Sequence, residues 1–133
     1  MRRLFLLALI AMAPTPIARA DDCANATDQR AMDECAGEAY RKSDAELNAL
    51  YKQIEQRLKS DTGTTKLLIA AQRAWVVFRD AECNFSTSRV SGGTIYPMIY
   101  TECADGLTQR RIEDLKRYLA CEEGDMSCPV PAN

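Results

Sequence analysis

A chain of 133 residues, 47% hydrophobic and 27% charged, has enough material for one core and too little for two. It has six cysteines, no histidine and a formal net charge of −2. The missing histidine excludes Ser-His-Asp and Cys-His catalysis and Cys/His zinc sites, and the acidic balance argues against nucleic acid and anionic membranes as partners.

Residues 1–20 open with Arg2 and Arg3, continue as the apolar block Leu4–Ala13 and close on Ala18-Arg19-Ala20. That order is the pattern of a cleaved secretory signal peptide. The block is about half the ~20 residues that a membrane-spanning helix needs, and Asp21-Asp22, not cysteine, follows the cleavage site. A periplasmic or secreted product with no stable membrane anchor is expected. Without Arg2, Arg3 and Arg19 it keeps 14 basic and 19 acidic residues, a net charge of −5 that suits a basic partner.

All six cysteines, Cys23, Cys35, Cys83, Cys103, Cys121 and Cys128, follow the cleavage site. An even count in an exported chain reads as a disulfide framework, with fifteen pairings open. No C-x-x-C occurs. No metal site and no cofactor are expected.

Three segments have helical spacing. In the first, Ala36, Tyr40, Ser43, Leu47, Leu50, Ile54 and Leu58 recur every three or four residues, with Thr27 or Asp28 as the cap and Asp61-Thr62-Gly63-Thr64 as the stop and turn. In the second, from about Lys66 to Phe85, Leu67, Leu68, Ala71, Ala74, Trp75, Phe78, Ala81 and Phe85 gather on one side, as a core helix would have them. Residues 86–93 read as a flexible polar connection. A third helix, to about Ala120, is expected to start from a Thr94 cap with Pro97 in its first turn. Its inward face reads Tyr96, Tyr100, Ala104, Leu107, Leu115 and Tyr118, with Gly106 as a weak point or close-packing site. Strand patterns are almost absent. The prediction is an all-α fold: a compact three-helix bundle with antiparallel neighbours, stapled by disulfides, over residues 21–120, followed by a tail, 121–133, clipped by its own cysteines.

Two charges sit awkwardly on these faces. Glu82 borders the second apolar arc and Arg111 lies within the third, so Arg111 is expected to meet Glu82 or Asp44 rather than be buried alone. Arg79 shares a line with Gln72, Val76 and Cys83, either a polar seam against a neighbour or a solvated face with an Arg79–Glu82 pair. The seam is favoured because Cys83 must reach another cysteine. Trp75 and Phe78 are read as core.

Asp44-Ala-Glu-Leu47-Asn48-Ala-Leu-Tyr51, Gln72-Arg73-Ala-Trp75-Val-Val-Phe78-Arg79-Asp80-Ala-Glu82-Cys83, Gly92-Gly93-Thr94-Ile95, and Cys103 followed by Arg111 and Leu115 together resemble the LprI-type lysozyme-inhibitor family of small secreted bacterial proteins. The resemblance covers roughly Cys23–Leu119 and marks Asp44, Trp75, Arg79, Glu82 and Arg111 as family positions. It implies a helical cell-surface or periplasmic domain and, for some members, inhibition of lysozyme. It also implies pairing of Cys23 with Cys35 and of Cys83 with Cys103, which leaves Cys121 with Cys128.

The expected partner is therefore lysozyme or another basic envelope or secreted protein. Arg89 and Ser91, in the 86–93 connection, are the residues placed to enter an acidic cleft. The alternative is a structural or interaction module of the cell envelope, with a peptidoglycan or secreted-protein partner. Catalysis is not expected: Glu38, Asp44, Glu46, Asp80 and Glu82 could supply paired carboxylates, yet their spacing fits solvated helix faces. The five tyrosines are read as core before glycan platform.

Overall fold

The computed structural model describes residue 23 and residues 25–132; the predicted signal peptide lies outside them. Helix α1 spans Gln29–Arg57, α2 spans Thr62–Ser86 and α3 spans Tyr96–Leu119, with a 3-10 turn at Ser88–Val90 and no strand among the described residues. The all-α, three-helix expectation holds.

The helix starts follow local chemistry. Asp28 caps α1 by accepting from the Ala31 N–H at 2.9 Å, and Asp61 caps α2 by accepting from the Thr64 N–H at 3.0 Å and its hydroxyl at 2.7 Å. The Asp61 cap starts α2 at Thr62, ahead of the Lys66 expected from apolar spacing alone. Thr94 does not cap α3: Ile95 holds that position without a side-chain bond, and Pro97 sits in the first turn, where no N–H partner is lost.

Helices α1 and α3 form the main packed pair; α2 touches α3 less and α1 hardly at all. The Ser43 hydroxyl donates to Asp105 and the Arg57 guanidinium donates to the Leu119 carbonyl, both across 62 residues of sequence. This constant offset makes α1 and α3 run in the same direction, so α2 runs antiparallel to both. The core consists of Leu47, Ile54 and Leu58 from α1, Ile112 and Leu115 from α3, and Val130 from the tail. The α1 stripe is as the spacing predicts, with Ala36, Ser43, Leu47, Ile54 and Leu58 buried.

Two packing expectations need correction. Of the α2 face read as core, only Leu68 and Trp75 are even half-buried; Ala71, Ala74, Phe78 and Ala81 are exposed, with Leu67 and Phe85 beside them. The protein-facing side is instead the Gln72, Val76, Arg79 and Cys83 line. On α3 the buried residues are Ala104, Asp105, Thr108, Ile112 and Leu115, a stripe in which two polar residues interrupt the apolar signal. Gly106 is not a close-packing site, since a methyl group there would meet nothing within 4 Å.

Three disulfides join Cys23 to Cys35, Cys83 to Cys103 and Cys121 to Cys128. The first clips the N-terminal segment to α1, the second ties the end of α2 to α3, and the third closes the tail. That closure returns the chain so that Val130 enters the core, while Arg57 reaches toward the Pro131 carbonyl at 3.5 Å.

Candidate interaction site

The family-like segment of α2 converges with α1 and α3 near the Cys83–Cys103 bridge. The Arg79 side chain is 11% exposed; its Nε and Nη2 both reach Asp80 Oδ1 at 2.8 Å. Its guanidinium carbon lies 5.3 Å from the Trp75 ring centroid and 5.7 Å from that of Tyr40 on α1. The charge is thus kept by one carboxylate and two aromatic faces rather than by bulk water. Burial pushes the Tyr40 phenol above its ordinary pKa, with the Arg79 charge opposing; burial and then the Asp80 charge raise Tyr100. Tyr96 stacks at a tilt on Tyr100, centroids 5.8 Å apart, and its hydroxyl approaches Asn84 Oδ1 at 3.4 Å. All five tyrosines are half-buried, so they form parts of packed junctions rather than an open platform.

Beside this cluster an open groove of about 360 Å³ separates α1 from α2. Asp44, Asn48, Tyr51 and Glu55 line one wall, and Gln72, Arg73, Val76 and Arg79 line the other. Asn48 donates to Asp44 Oδ2 at 3.1 Å. Leu47, Ile69 and Val76 make much of its lining apolar, with the Asp44 and Glu55 carboxylates, the Asn48 amide and the Tyr51 phenol on one side and the Gln72 amide and Arg73 guanidinium on the other, a mixed surface.

Arg111 does not meet Glu82 or Asp44. Its Nε donates to Gln72 Oε1 at 3.1 Å, and its Nη1 lies 3.8 Å from Asp114 Oδ2. The Cys83–Cys103 bridge fixes the antiparallel register of α2 on α3, which sets Arg111 opposite the Gln72–Trp75 turn and about two turns from Glu82. Glu82 is exposed and enters no ion pair among the described residues. Arg79 takes Asp80 as its partner, so the alternative Arg79–Glu82 pair does not form.

Arg89 and Ser91 are exposed at the end of the domain where the Cys83–Cys103 bridge lies. Their connection is more ordered than its composition suggests. The Thr87 hydroxyl donates to the Cys83 carbonyl at 2.6 Å, the Val90 and Gly93 N–H groups close successive turns, and Gly92 takes a φ of 79° that glycine alone adopts freely. Sequence reasoning missed the buried Asp105 carboxylate, which accepts from Ser43 Oγ at 2.5 Å and from Gln109 Nε2 at 2.7 Å. The available signal was Ser43, a polar residue on an apolar stripe that had to find a partner.

Fold and site together define a small, disulfide-stapled helical domain with a groove of mixed apolar and charged lining between two of its helices. The chain belongs to the LprI family: the family model described as "Lysozyme inhibitor LprI" matches residues 20–115. It is also 31% identical over 113 residues to an uncharacterized protein of Rhizobium meliloti (strain 1021), covering 77% of this chain and 81% of that one. No solved structure matches it.

Proposed function

We propose that this protein is an exported inhibitor that binds lysozyme by protein–protein contact, in the periplasm or outside the cell. The observation that carries this reading is the family match across residues 20–115. Physical features support it. A net charge of −5 after signal removal would steer a basic lysozyme to the surface. The Ser88–Gly93 turn, backed by the Cys83–Cys103 bridge, holds Arg89 in the open with little ordering cost on binding. Lysozymes cleave glycan between two carboxylates, so a guanidinium from Arg89 and the Ser91 hydroxyl supply the cation and donor that such a cleft would accept.

Binding rather than catalysis also fits the use of the acidic residues. Glu38 pairs with Lys42, Glu46 with Lys116, Asp80 with Arg79, and Asp44 with Asn48, so these carboxylates serve the protein's own surface and helix contacts. The test is cell-wall lysis by a basic c-type lysozyme titrated with the oxidised mature chain, alongside size-exclusion of the mixture. Dose-dependent inhibition and a stoichiometric complex that weakens with salt are expected. Absence of both inhibition and complex would overturn the reading. Arg89→Glu should weaken inhibition at least tenfold; if it inhibits like the wild type, the turn is not the inhibitory element.

A further inference from the structure

At the end of the domain away from the Cys83–Cys103 bridge, a pocket of about 200 Å³ lies where all three helices meet the tail. Ile54 and Leu58 of α1, Leu68 and Ala71 of α2, Tyr118 of α3 and Val130 of the tail line it, and Leu67, 70% exposed, stands on its rim. Arg111 is the one charged residue in this lining. Its side chain is only 12% exposed, yet it is poorly neutralised. Its Nε donates to the neutral Gln72 amide oxygen at 3.1 Å, and the one carboxylate it reaches among the described residues, Asp114, stands 3.8 Å from Nη1 and is shared with Arg117. A secluded guanidinium with one long, shared ion pair keeps donors free for another acceptor. Thr64, also on the wall, already gives its hydroxyl to Asp61, which leaves Arg111 as the group that recognises a ligand.

We propose that this pocket binds a small monocarboxylate with an apolar body, its carboxylate on the Arg111 guanidinium and its carbons against Ile54, Leu58, Leu68 and Val130. Size and charge each narrow the class. A cavity of about 150 Å³ takes a benzene ring, so this one holds an apolar body of about six to eight carbons, either a short chain or a single ring. Apolar walls gain from covering carbon, whereas sugar hydroxyls or a peptide backbone would lose water there without finding partners. A cationic ligand of the same shape would set a like charge beside Arg111, and a neutral one would leave the guanidinium as it is. A carboxylate matches the two Nη groups that lie beyond the Gln72 bond, with two parallel hydrogen bonds. The bound molecule joins the start of α2 to the tail, so it stabilises the folded chain by mass action.

The experiment is calorimetric titration of the oxidised mature chain, at physiological salt, with octanoate and with phenylacetate, and with octanol and octylammonium as controls. Salt of that strength screens the net negative charge of the surface and leaves the pocket to decide. Saturable binding of a carboxylate is expected, with amide shifts at Leu68, Ala71, Tyr118 and Val130 in the NMR spectrum, and the tighter of the two carboxylates tells chain from ring. Octanol loses less hydration than octanoate on entering an apolar site, so a preference for octanoate isolates the guanidinium. Arg111→Met should weaken octanoate by about tenfold or more and leave octanol unchanged. Ala71→Phe, at an exposed position on the wall, should block both ligands with unchanged helical circular dichroism. No carboxylate binding up to millimolar concentration would overturn the proposal, as would octanol binding as tightly as octanoate, or octanoate binding indifferent to either substitution. Should Arg111→Met fail to fold, Ala71→Phe and the comparison with octanol decide alone. Because Arg89 lies beyond the opposite end of α2, octanoate binding and lysozyme inhibition are separate readouts.

Discussion

Arg79 is buried although it is charged because its surroundings replace water piece by piece: Asp80 supplies the counter-charge, and the guanidinium lies over the rings of Trp75 and Tyr40. Lysine has the charge but neither the fork nor the flat surface, so Arg79→Lys should destabilise the domain by about 1–3 kcal/mol. Urea unfolding measures it, and an unchanged midpoint would mean that only the charge matters. That Arg79 faces protein was legible from its line with Cys83; its partners were not, because Asp80 is its chain neighbour and Tyr40 comes from a helix whose register no local pattern states. Asp105 was hidden for a related reason. A carboxylate reads as surface until a specific hydroxyl, here Ser43, is known to lie against it.

At the scale of the helix, ends and faces differ in how far local chemistry decides them. Asp28 and Asp61 cap through atoms three residues away, so sequence suffices. The Thr64 N–H and hydroxyl hold the Asp61 carboxyl below its ordinary pKa of 3.8. With the folded value depressed, this contribution to stability is complete above the unfolded value and is lost as pH falls through the folded one. In acid, below about pH 4, the start of α2 should therefore fray, and Asp61→Asn, which keeps a cap without a charge, should blunt that part of the acid transition. Circular dichroism across the acid range measures the difference, and superimposable profiles would refute it. Faces are harder. Helix α2 is apolar on one side and mixed on the other, and amphipathic reasoning assigned the apolar side to the core. The Cys83 staple and the Gln72–Arg111 bond turn the mixed side inward instead. On α3, Asp105 and Thr108 break the stripe that Ile112 and Leu115 continue, so periodicity underweighted the true inner face.

For the molecule as a whole, α1 and α3 hold the core while α2 is pinned by a short turn at one end and a disulfide at the other, leaving the groove against α1 and the apolar side of α2 exposed. The tail completes the core rather than trailing from it. Val130→Ala should cost about 1–3 kcal/mol through lost burial and the cavity left behind, measurable by denaturant unfolding of the oxidised chain. A negligible change would show that the tail only rests on the surface. By itself the sequence determined the helical class, the number of helices, the cap of α1 and the α1 stripe, since these depend on residues within a turn or two of one another. Only the tertiary structure decided which side of α2 turns inward, what neutralises Arg79 and Arg111, and that Val130 closes the core. Those outcomes depend on the register between helices far apart in the chain, set by where the Cys83–Cys103 bridge and the Ser43–Asp105 bond bring them together.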